Sequence, residues 1–279
     1  MIKNALSIDV EDYYHVSAFD NVLDRKDWSN ISPRVHFNTE KILKILEMKN
    51  VKATFFMLGW VAKKQPQLIR KIINEGHELA CHGYFHERLS HLTLEYFKND
   101  IDYSKKLLED LSGQPVLGYR APSFSINSKN IWVYDVVKEV GFKYSSSVYP
   151  IRHDHYGWPE APKLPFKISN SSITEIPIST YKALGYFWPA GGGGYFRLYP
   201  YFFSKWLMSN INNKLNSSCV FYFHPWEIDR YQPKDYKLPL KTKFRHYLNI
   251  NKMEKKLIKI LEDYQWGTIK DVFSHSIST

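Results

Sequence analysis

The stretch Val51-Lys52-Ala53-Thr54-Phe55-Phe56-Met57-Leu58 is a continuous apolar and aromatic run that predicts a buried strand. A helix is predicted next, over residues 65–75, with Pro66 in its first turn. His77-Glu78-Leu79-Ala80-Cys81 then predicts a second strand, which delivers His82 to its carboxyl end. This order of strand, helix and strand is typical of a parallel sheet.

The same alternation extends in both directions from this stretch. Ala5 to Ile8 predicts a first strand that ends at Asp9. The pattern predicts further helices over 39–48, 93–111, 201–215 and 253–263. It predicts further strands over 115–119 and 219–223. We therefore predict an α/β fold, either a parallel sheet or an α/β barrel. Active sites in such folds lie at the carboxyl ends of the strands.

Residues 149–197 differ in amino-acid composition from the rest of the chain. They are rich in Pro, Gly, aromatic and polar residues, with several of them in the run from Trp188 to Tyr195. We interpret this segment as a loop-rich insertion over the active site, within a single domain of residues 1–279.

Composition limits the function classes. The chain has 279 residues, 44% of them hydrophobic, which is enough for a sizeable core. Its net charge of +10 favours anionic partners such as phosphorylated sugars, whereas its scattered lysines indicate solvated helix faces and no nucleic-acid role. No apolar run reaches the ~20 residues of a transmembrane segment. The apolar run at the N-terminus is too short for a signal peptide. We expect a cytoplasmic protein.

Two sequence motifs indicate a metal site. The segment Cys81-His82-Gly83-Tyr84-Phe85-His86 holds two histidines four residues apart, and the acidic cluster Asp9-Val10-Glu11-Asp12 follows the first strand. Two histidines and one carboxylate can hold a divalent ion and leave positions open for water and substrate. The pattern predicts a metal-dependent hydrolase.

Two further motifs follow predicted strands. Gly118-Tyr119-Arg120-Ala121-Pro122-Ser123-Phe124 places an arginine at a carboxyl end, and Phe221-Tyr222-Phe223-His224-Pro225-Trp226-Glu227 places a histidine at another. A histidine titrates near neutrality and can pass a proton to a leaving group. Taken singly, Arg120 could instead form a surface salt bridge and His224 could be a core residue.

As an ordered set, these four motifs resemble the NodB-like polysaccharide deacetylases, carbohydrate esterase family four. The resemblance spans residues 9 to 224, which is most of the chain. The amino-acid sequences of residues 7–14, 191–197 and 266–272 look most like those of the cytoplasmic subgroup encoded in exopolysaccharide and exosortase loci. The resemblance implies an irregular (β/α) barrel of the NodB deacetylase type.

The resemblance also implies roles for individual residues. Asp9 matches the general base, His82 and His86 match the metal ligands, Arg120 looks like the residue that positions the base, and His224 would protonate the departing amine. By similarity to its motif position, the backbone N–H of another residue, Ser123, would stabilise the oxyanion of the tetrahedral intermediate.

The sequence departs from the family pattern at the third metal ligand. The usual motif has adjacent aspartates, or aspartates separated by one residue, whereas here the ligand must be Glu11 or Asp12. We expect Asp12, because a shorter carboxylate after a bulged strand end would fit between two histidines, and keep Glu11 as the alternative. Zinc is the expected ion, with cobalt, nickel, manganese and iron as alternatives.

A second departure concerns the group that orients the catalytic histidine. The family often has an aspartate in a Tyr-Asp-Ser-Ser run, whereas this chain has Tyr144-Ser145-Ser146-Ser147. Glu227 could compensate, or activity could be reduced. Aromatic residues near the motifs, including Tyr149 and Trp226, are candidates for stacking on sugar faces.

We therefore predict a metal-dependent N-deacetylase that acts on an N-acetylated sugar in surface-polysaccharide or lipopolysaccharide biosynthesis. A cytoplasmic address suggests a phosphate-bearing nucleotide- or lipid-linked precursor as the substrate, and an oligomer is possible. Two alternatives stay open: a hydrolase of cyclic amides or ureides on the same fold, and a non-catalytic carbohydrate-binding relative.

Overall fold

The computed structural model describes residues 2–20, 22–154, 156–169 and 171–278. Its strands are β1 Lys3–Val10, β2 Thr54–Met57, β3 Glu78–Cys81, β4 Gly118–Tyr119, β5 Tyr144–Ser145, β6 Phe166–Lys167, β7 Thr174–Glu175, β8 Thr180–Ala183, β9 Tyr186–Pro189, β10 Val220–Phe223 and β11 Gln265–Gly267. Its α-helices are α1 Val35–Met48, α2 Gly59–Lys64, α3 Pro66–Asn74, α4 Leu94–Ser112, α5 Val133–Glu139, α6 Gly193–Leu198, α7 Tyr201–Lys214, α8 Leu240–Tyr247, α9 Ile250–Asp263, α10 Ile269–Val272 and α11 Ser274–Ser278.

The main sheet has the strand order β10, β1, β2, β3, β4, β5, β7, β6, and β11 also pairs with β1. Neighbouring strands run parallel, apart from the antiparallel pair of β6 and β7. The carboxyl ends of β1, β3, β4 and β10 therefore meet at one end of the sheet. The predicted α/β fold is confirmed.

The sheet curls into a half-barrel whose two sides are joined by the chain after β7. There the N–H of Ile178 donates to the carbonyl of Val148 at 2.9 Å, next to β5. One residue later, the N–H of Ser179 lies 3.4 Å from the carbonyl of Val220 in β10. Residues 178 and 179 thus connect the β5 side of the sheet to β10, which lies at the other end of the strand order. This agrees with the irregular (β/α) barrel that the sequence predicts.

The segment 149–197 is more than a cover over the barrel mouth. It contains β7, which pairs in parallel with β5 inside the main sheet, and the separate hairpin of β8 and β9. Residues 155 and 170 of this segment lie outside the described part of the chain. A strand of two residues is too short to give a periodic pattern, which is why the sequence predicted an insertion here.

Local signals set the helix ends around the site. Pro66 is the first residue of α3, the side chain of Thr93 accepts the N–H of Tyr96 at the start of α4, and Gly113 ends α4 in the left-handed conformation at φ 66°. Pro66 lies where the sequence predicts it, and the helix predicted over 93–111 begins and ends within one residue of its predicted bounds because of these caps. Helix α1 starts earlier than predicted, at Val35.

The core is continuous through both halves of the chain. One cluster of buried apolar side chains draws on residues from Leu6 to Trp266 and includes Phe55 and Met57 of β2 at 0% exposure. Within the described residues, no helix is both long enough and apolar enough to cross a membrane.

Candidate metal centre and active site

Strand β1 brings two carboxylates to the same place. Asp9 lies near the end of β1, and Glu11 directly follows the strand, where its N–H donates to the carbonyl of Asp9 at 3.0 Å. Both are buried, at 1% and 0% exposure. The Glu11 carboxylate faces two imidazoles, with Oε2 at 3.0 Å from Nε2 of His86 and Oε1 at 3.1 Å from Nε2 of His224.

The two histidines of the His-x-x-x-His segment lie beside Glu11. Nδ1 of His82 is 2.9 Å from the carbonyl oxygen of Arg120, and because a carbonyl only accepts, Nδ1 carries the proton and Nε2 keeps its lone pair. Glu11, His82 and His86 each offer one ligand atom, and these three atoms lie within 4.8 Å of one another. This is the spacing of ligands around one ion.

The loop that carries these histidines is held from helix α4. The carboxylate of Asp100 accepts the backbone N–H of Tyr84 at 3.0 Å, and a Cβ on Gly83 would lie 3.0 Å from the same carboxylate oxygen. Gly83 has φ +72°, a conformation that favours glycine. Burial raises the pKa of Asp100 to about 6, against the effect of the Tyr84 N–H. Asp100 was not predicted from sequence, since one acidic residue on a helix gives no signal of a tertiary contact.

The free donor atoms of the cluster fit a divalent cation. Nδ1 of His86 is buried without a hydrogen-bond partner within the described residues, and the buried oxygens of Glu11 face only the imidazole nitrogens of His86 and His224, in no well-aligned hydrogen bond. Burial raises the pKa of Glu11, but the charges of His86 and His224 outweigh it and hold that pKa below its usual range. A buried, ionised carboxylate is costly unless positive charge compensates it, and a bound divalent cation would supply that charge.

Asp12 has a different role from the one expected, so its assignment as a metal ligand is corrected. Its Oδ2 accepts the backbone N–H groups of Arg34 and Val35 at 2.5 and 2.8 Å, and its Oδ1 accepts the N–H of Tyr13 at 2.9 Å. Burial raises its pKa to about 6, and these N–H groups oppose the rise. Asp12 fastens the start of α1 to the end of β1, and Glu11, the alternative, faces the histidines. The alternation of side chains along a strand could have indicated this.

Arg120 is fully buried and joins β4 to β1. Its Nη1 donates to Oδ1 of Asp9 at 2.6 Å and to the hydroxyl of Ser7 at 2.9 Å, while Nε donates to the carbonyl of Ser146 at 2.8 Å. The guanidinium also lies 3.9 Å from the ring centroid of Phe56. The arginine therefore fixes the orientation of Asp9 and does not form a surface salt bridge.

His224 follows β10 and reaches the same cluster from the other side. Its Nδ1 lies 2.9 Å from Oε1 of Glu227, and its Nε2 lies 3.9 Å from Oδ2 of Asp9. Burial lowers its pKa, but the carboxylates of Glu11 and Glu227 outweigh burial and raise the pKa to about 9. Arg197, to which the sequence pattern assigned no role, pairs with Glu227 at 2.7 Å.

Two residues predicted to stack on sugar have no open ring face. The indole of Trp226 is stacked between His224 and His246, with centroid distances of 5.2 and 4.3 Å. Tyr149 is fully buried, packed against Phe124 among other rings, and only its hydroxyl lacks a partner within the described chain. Both predictions of sugar stacking are therefore wrong, because neighbouring aromatic rings already cover these faces.

Ser123 and Ser145 occupy two special positions. Ser123 has φ +54°, which is unusual for a residue with a Cβ, and its hydroxyl lies 2.7 Å from that of Ser17. Ser145 lies in β5, and its hydroxyl shares a hydrogen bond with Ser147 at 2.7 Å. The carboxylate that contacts Nδ1 of His224 is that of Glu227, from a different element.

Comparisons with known proteins divide the chain near its middle. Residues 18–145 match the family model described as Polysaccharide deacetylase, and residues 146–274 match one described as Domain of unknown function (DUF3473). A peptidoglycan-N-acetylglucosamine deacetylase of Bacillus cereus is 39% identical over 84 residues, which are 30% of this chain and 30% of that protein. A bifunctional xylanase/deacetylase of Pseudobutyrivibrio xylanivorans is 34% identical over 91 residues, which are 32% of this chain and 15% of that protein. These matches span less than a third of each relative.

Solved structures share the fold over nearly the whole chain. A protein from Mycobacterium smegmatis assigned to the polysaccharide deacetylases has a TM-score of 0.62 at 19% identity, covering 99% of this chain and 91% of that one. The Puue allantoinase has a TM-score of 0.61 at 14% identity, covering 100% of this chain and 90% of that one. Family model and curated relatives together support a polysaccharide deacetylase domain in residues 18–145.

Proposed function

We propose that the protein is a metal-dependent N-deacetylase that hydrolyses the acetamide of an N-acetylated sugar to a free amine and acetate. One observation carries the proposal: the Glu11, His82 and His86 cluster lies beside Asp9 and His224 at one end of the parallel sheet. A cation site, a carboxylate and an imidazole in contact are the parts that amide hydrolysis by water requires.

Glu11, His82 and His86 would hold one divalent ion, with zinc expected first and cobalt, nickel, manganese or iron as alternatives. When bound, such an ion polarises the amide carbonyl and makes a water molecule more acidic. The rest of the chemistry falls to the side chains around it.

Asp9 would act as the general base. Its Oδ1 is held by Arg120 at 2.6 Å, and its Oδ2 lies on the side of His224, 3.9 Å from Nε2. A carboxylate fixed at one oxygen presents the other in a constant direction, so Asp9 can take the proton of the attacking water without a rotation that costs entropy. Arg120 is therefore a positioning residue for the base.

His224 would act as the general acid. Attack of the water oxygen on the amide carbon gives a tetrahedral intermediate, for whose oxyanion the backbone N–H of Ser123 remains the proposed donor. The C–N bond then breaks, and its electron pair goes to the nitrogen, which takes a proton from Nε2 of His224. The hydroxyl proton of the intermediate also goes to the nitrogen, so the products are acetate and a sugar ammonium. The proton that Asp9 received passes to Nε2 of His224, 3.9 Å away, and both groups return to their starting states.

The finer identity of the substrate rests on charge and on relatives. The net charge of +10 favours a phosphate-bearing substrate. We propose a nucleotide- or lipid-linked precursor of a surface polysaccharide or lipopolysaccharide, on which the protein acts in the cytoplasm as a monomer or an oligomer. The Bacillus cereus relative is named for N-acetylglucosamine in peptidoglycan. We therefore propose an N-acetylhexosamine as the sugar.

The test is acetate release from a panel of nucleotide-linked N-acetylhexosamines and N-acetylglucosamine oligomers. Protein stripped of metal is compared with protein reloaded with zinc or cobalt, and Asp9→Asn is the matched variant, since it keeps the proposed ligands. We expect metal-dependent release that Asp9→Asn abolishes while metal binding is retained.

Other results would favour the alternatives. Ring opening of allantoin or another cyclic ureide, without acetate release, would replace the proposal with a cyclic-amide hydrolase. Sugar binding that Asp9→Asn leaves unchanged, with no turnover of any substrate, would indicate a carbohydrate-binding relative. Failure to bind any divalent metal would refute the site itself.

A further inference from the structure

We propose that Glu227, held by Arg197 and given space by Gly193, is the positioning residue that presents Nε2 of His224 to the site. The inference rests on the proposed function for its catalytic consequence, but its structural content concerns the ring of His224 alone.

The first observation is that both oxygens of Glu227 are fully engaged. Oε1 accepts from Nδ1 of His224 at 2.9 Å and from its backbone N–H at 3.0 Å, while Oε2 accepts from Nε of Arg197 at 2.7 Å. Glu227 is at 0% exposure, so this arrangement is shielded from water. A carboxylate that only accepts requires the proton to be on Nδ1, which leaves Nε2 to exchange protons with substrate.

The second observation is that Arg197 is a dedicated partner of Glu227. Arg197 is 2% exposed, and its other donors go to neutral backbone carbonyls at the end of α8, at 2.9 Å for His246 and 2.7 Å for Leu248. Within the described residues, the carboxylate that faces it is that of Glu227. Burial raises the pKa of Glu227, but Arg197 and His224 outweigh it and lower that pKa to about 2.

The third observation explains one glycine of the run 191–194. A Cβ on Gly193 would lie 2.2 Å from Oε1 of Glu227 and 2.7 Å from its Cδ, closer than such atoms approach. Gly193 has no unusual φ, so its lack of a side chain, not its backbone freedom, is what the site uses. The neighbouring Gly194 is exposed, and a Cβ there would meet no atom of the described residues within 4 Å.

These contacts come from elements outside the strand that carries Ser145. Glu227 lies in the short 3-10 turn Pro225–Ile228, and Gly193 and Arg197 lie on α6. The stack of His224, Trp226 and His246 restrains the imidazole further, with Trp226 and His246 inclined by 11°. The second half of the chain thus contains a complete support for the proposed acid.

The decisive comparison is Glu227→Gln against Glu227→Asp. Gln matches Glu in size but offers only one accepting atom, so it can serve His224 or Arg197 but not both. Asp is shorter but keeps two accepting oxygens. We expect kcat to fall about 100-fold in Glu227→Gln with KM nearly unchanged, and to fall less in Glu227→Asp. A side chain that mattered only for packing would give the opposite order.

The second readout is independent of activity. The 15N shifts of the His224 ring, recorded on the metal-free protein well above the pKa of about 9 so that the ring has lost its second proton, report which nitrogen carries the remaining proton. We expect Nδ1–H in the wild type and in Gly194→Ala, and a mixture of tautomers in Glu227→Gln and Gly193→Ala. Should Glu227→Gln fail to fold, the matched glycine pair decides the question.

Two results would overturn the proposal: an unchanged ring tautomer in Glu227→Gln, or identical ring shifts in Gly193→Ala and Gly194→Ala. If the wild-type protein releases no acetate from any substrate, the proposed function fails. The ring shifts would then still show whether Glu227 orients His224.

Discussion

The two halves of the chain build the site in different ways. The first half supplies Asp9, Glu11, His82 and Arg120 from the ends of regular parallel strands, where the repeating strand and helix units bring them together. The second half supplies His224 at the end of β10, but it supports that histidine through a short turn and a helix that no repeat would place there.

This difference separates two tasks. The groups that would hold a cation are fixed by backbone geometry at strand ends, so each needs few partners beyond its own strand. The proposed acid instead depends on a chain of side-chain contacts, in which Glu227 holds His224 and Arg197 holds Glu227. Substitutions of the proposed ligands Glu11, His82 and His86 should therefore affect metal binding, and those of His224 and its supporting side chains should affect turnover with metal bound.

The largest effect is expected for Glu11→Gln, with Asp12→Asn as its neighbour control. Loss of the charged ligand should weaken zinc binding by more than about 100-fold and abolish turnover. Asp12→Asn should keep zinc affinity within a few-fold, but should lower the free energy of unfolding by about 1 to 3 kcal/mol, because Asp12 accepts three backbone N–H groups. Calorimetric zinc titration and chemical unfolding measure these effects. Equal losses of zinc affinity in the two variants would make Asp12 the ligand after all.

His224→Gln tests the same division from the second half. Turnover should fall about 100-fold, since a general acid is removed, while zinc affinity stays within a few-fold. Nε2 of His224 is 3.1 Å from Oε1 of Glu11, so the zinc titration is the critical measurement. A loss of affinity as large as that of Glu11→Gln would place His224 among the ligands and remove the contrast between the halves.

Ser145→Asp asks whether the first half could support the acid instead. We expect no gain in turnover and a loss of about 2 kcal/mol in the free energy of unfolding, because a new buried charge would lie beside Glu175. Burial already raises the pKa of Glu175, which accepts the N–H groups of Ser147 and Val148 at 2.7 and 2.8 Å. Adding Glu175→Gln should recover part of the stability. Higher turnover in Ser145→Asp would show that β5 can orient His224.

The smallest effect is expected on the stability of the fold at acid pH and involves His77, which lies outside the candidate site. Burial lowers the pKa of His77 to about 4 from an ordinary value of 6.5, and the ring accepts the N–H of Ala53 at 3.2 Å. Because the unfolded chain takes up this proton first, the stability that neutral His77 contributes is present above pH 6.5 and is lost as the pH falls toward 4.

His77→Gln should therefore flatten the pH dependence of unfolding over that window by about 1 to 2 kcal/mol, without affecting zinc binding at neutral pH. Urea unfolding at pH 4.5, 5.5 and 7 measures it. The same slope in wild type and variant would assign acid sensitivity to other groups, such as His246, whose pKa burial lowers to about 3.

The sequence predicted regular elements well where local chemistry sets them. Pro66, Thr93 and Gly113 mark helix ends through their own backbone and side chains, so no partner is needed to read them. The predicted strand over 51–58 is shorter in the structure, Thr54–Met57, because pairing with neighbours, and not apolar character, defines a strand's bounds.

The sequence by itself determined the α/β order of elements and the candidates Asp9, His82, His86, Arg120 and His224, because strand ends and short motifs are local patterns. Only the tertiary structure decided between neighbouring or equivalent groups. It turned Glu11 toward the histidines and Asp12 toward backbone N–H groups, and it enclosed Trp226 between two imidazoles. The choice depends on which donors and rings surround each side chain, and these come from segments tens to hundreds of residues away in the chain.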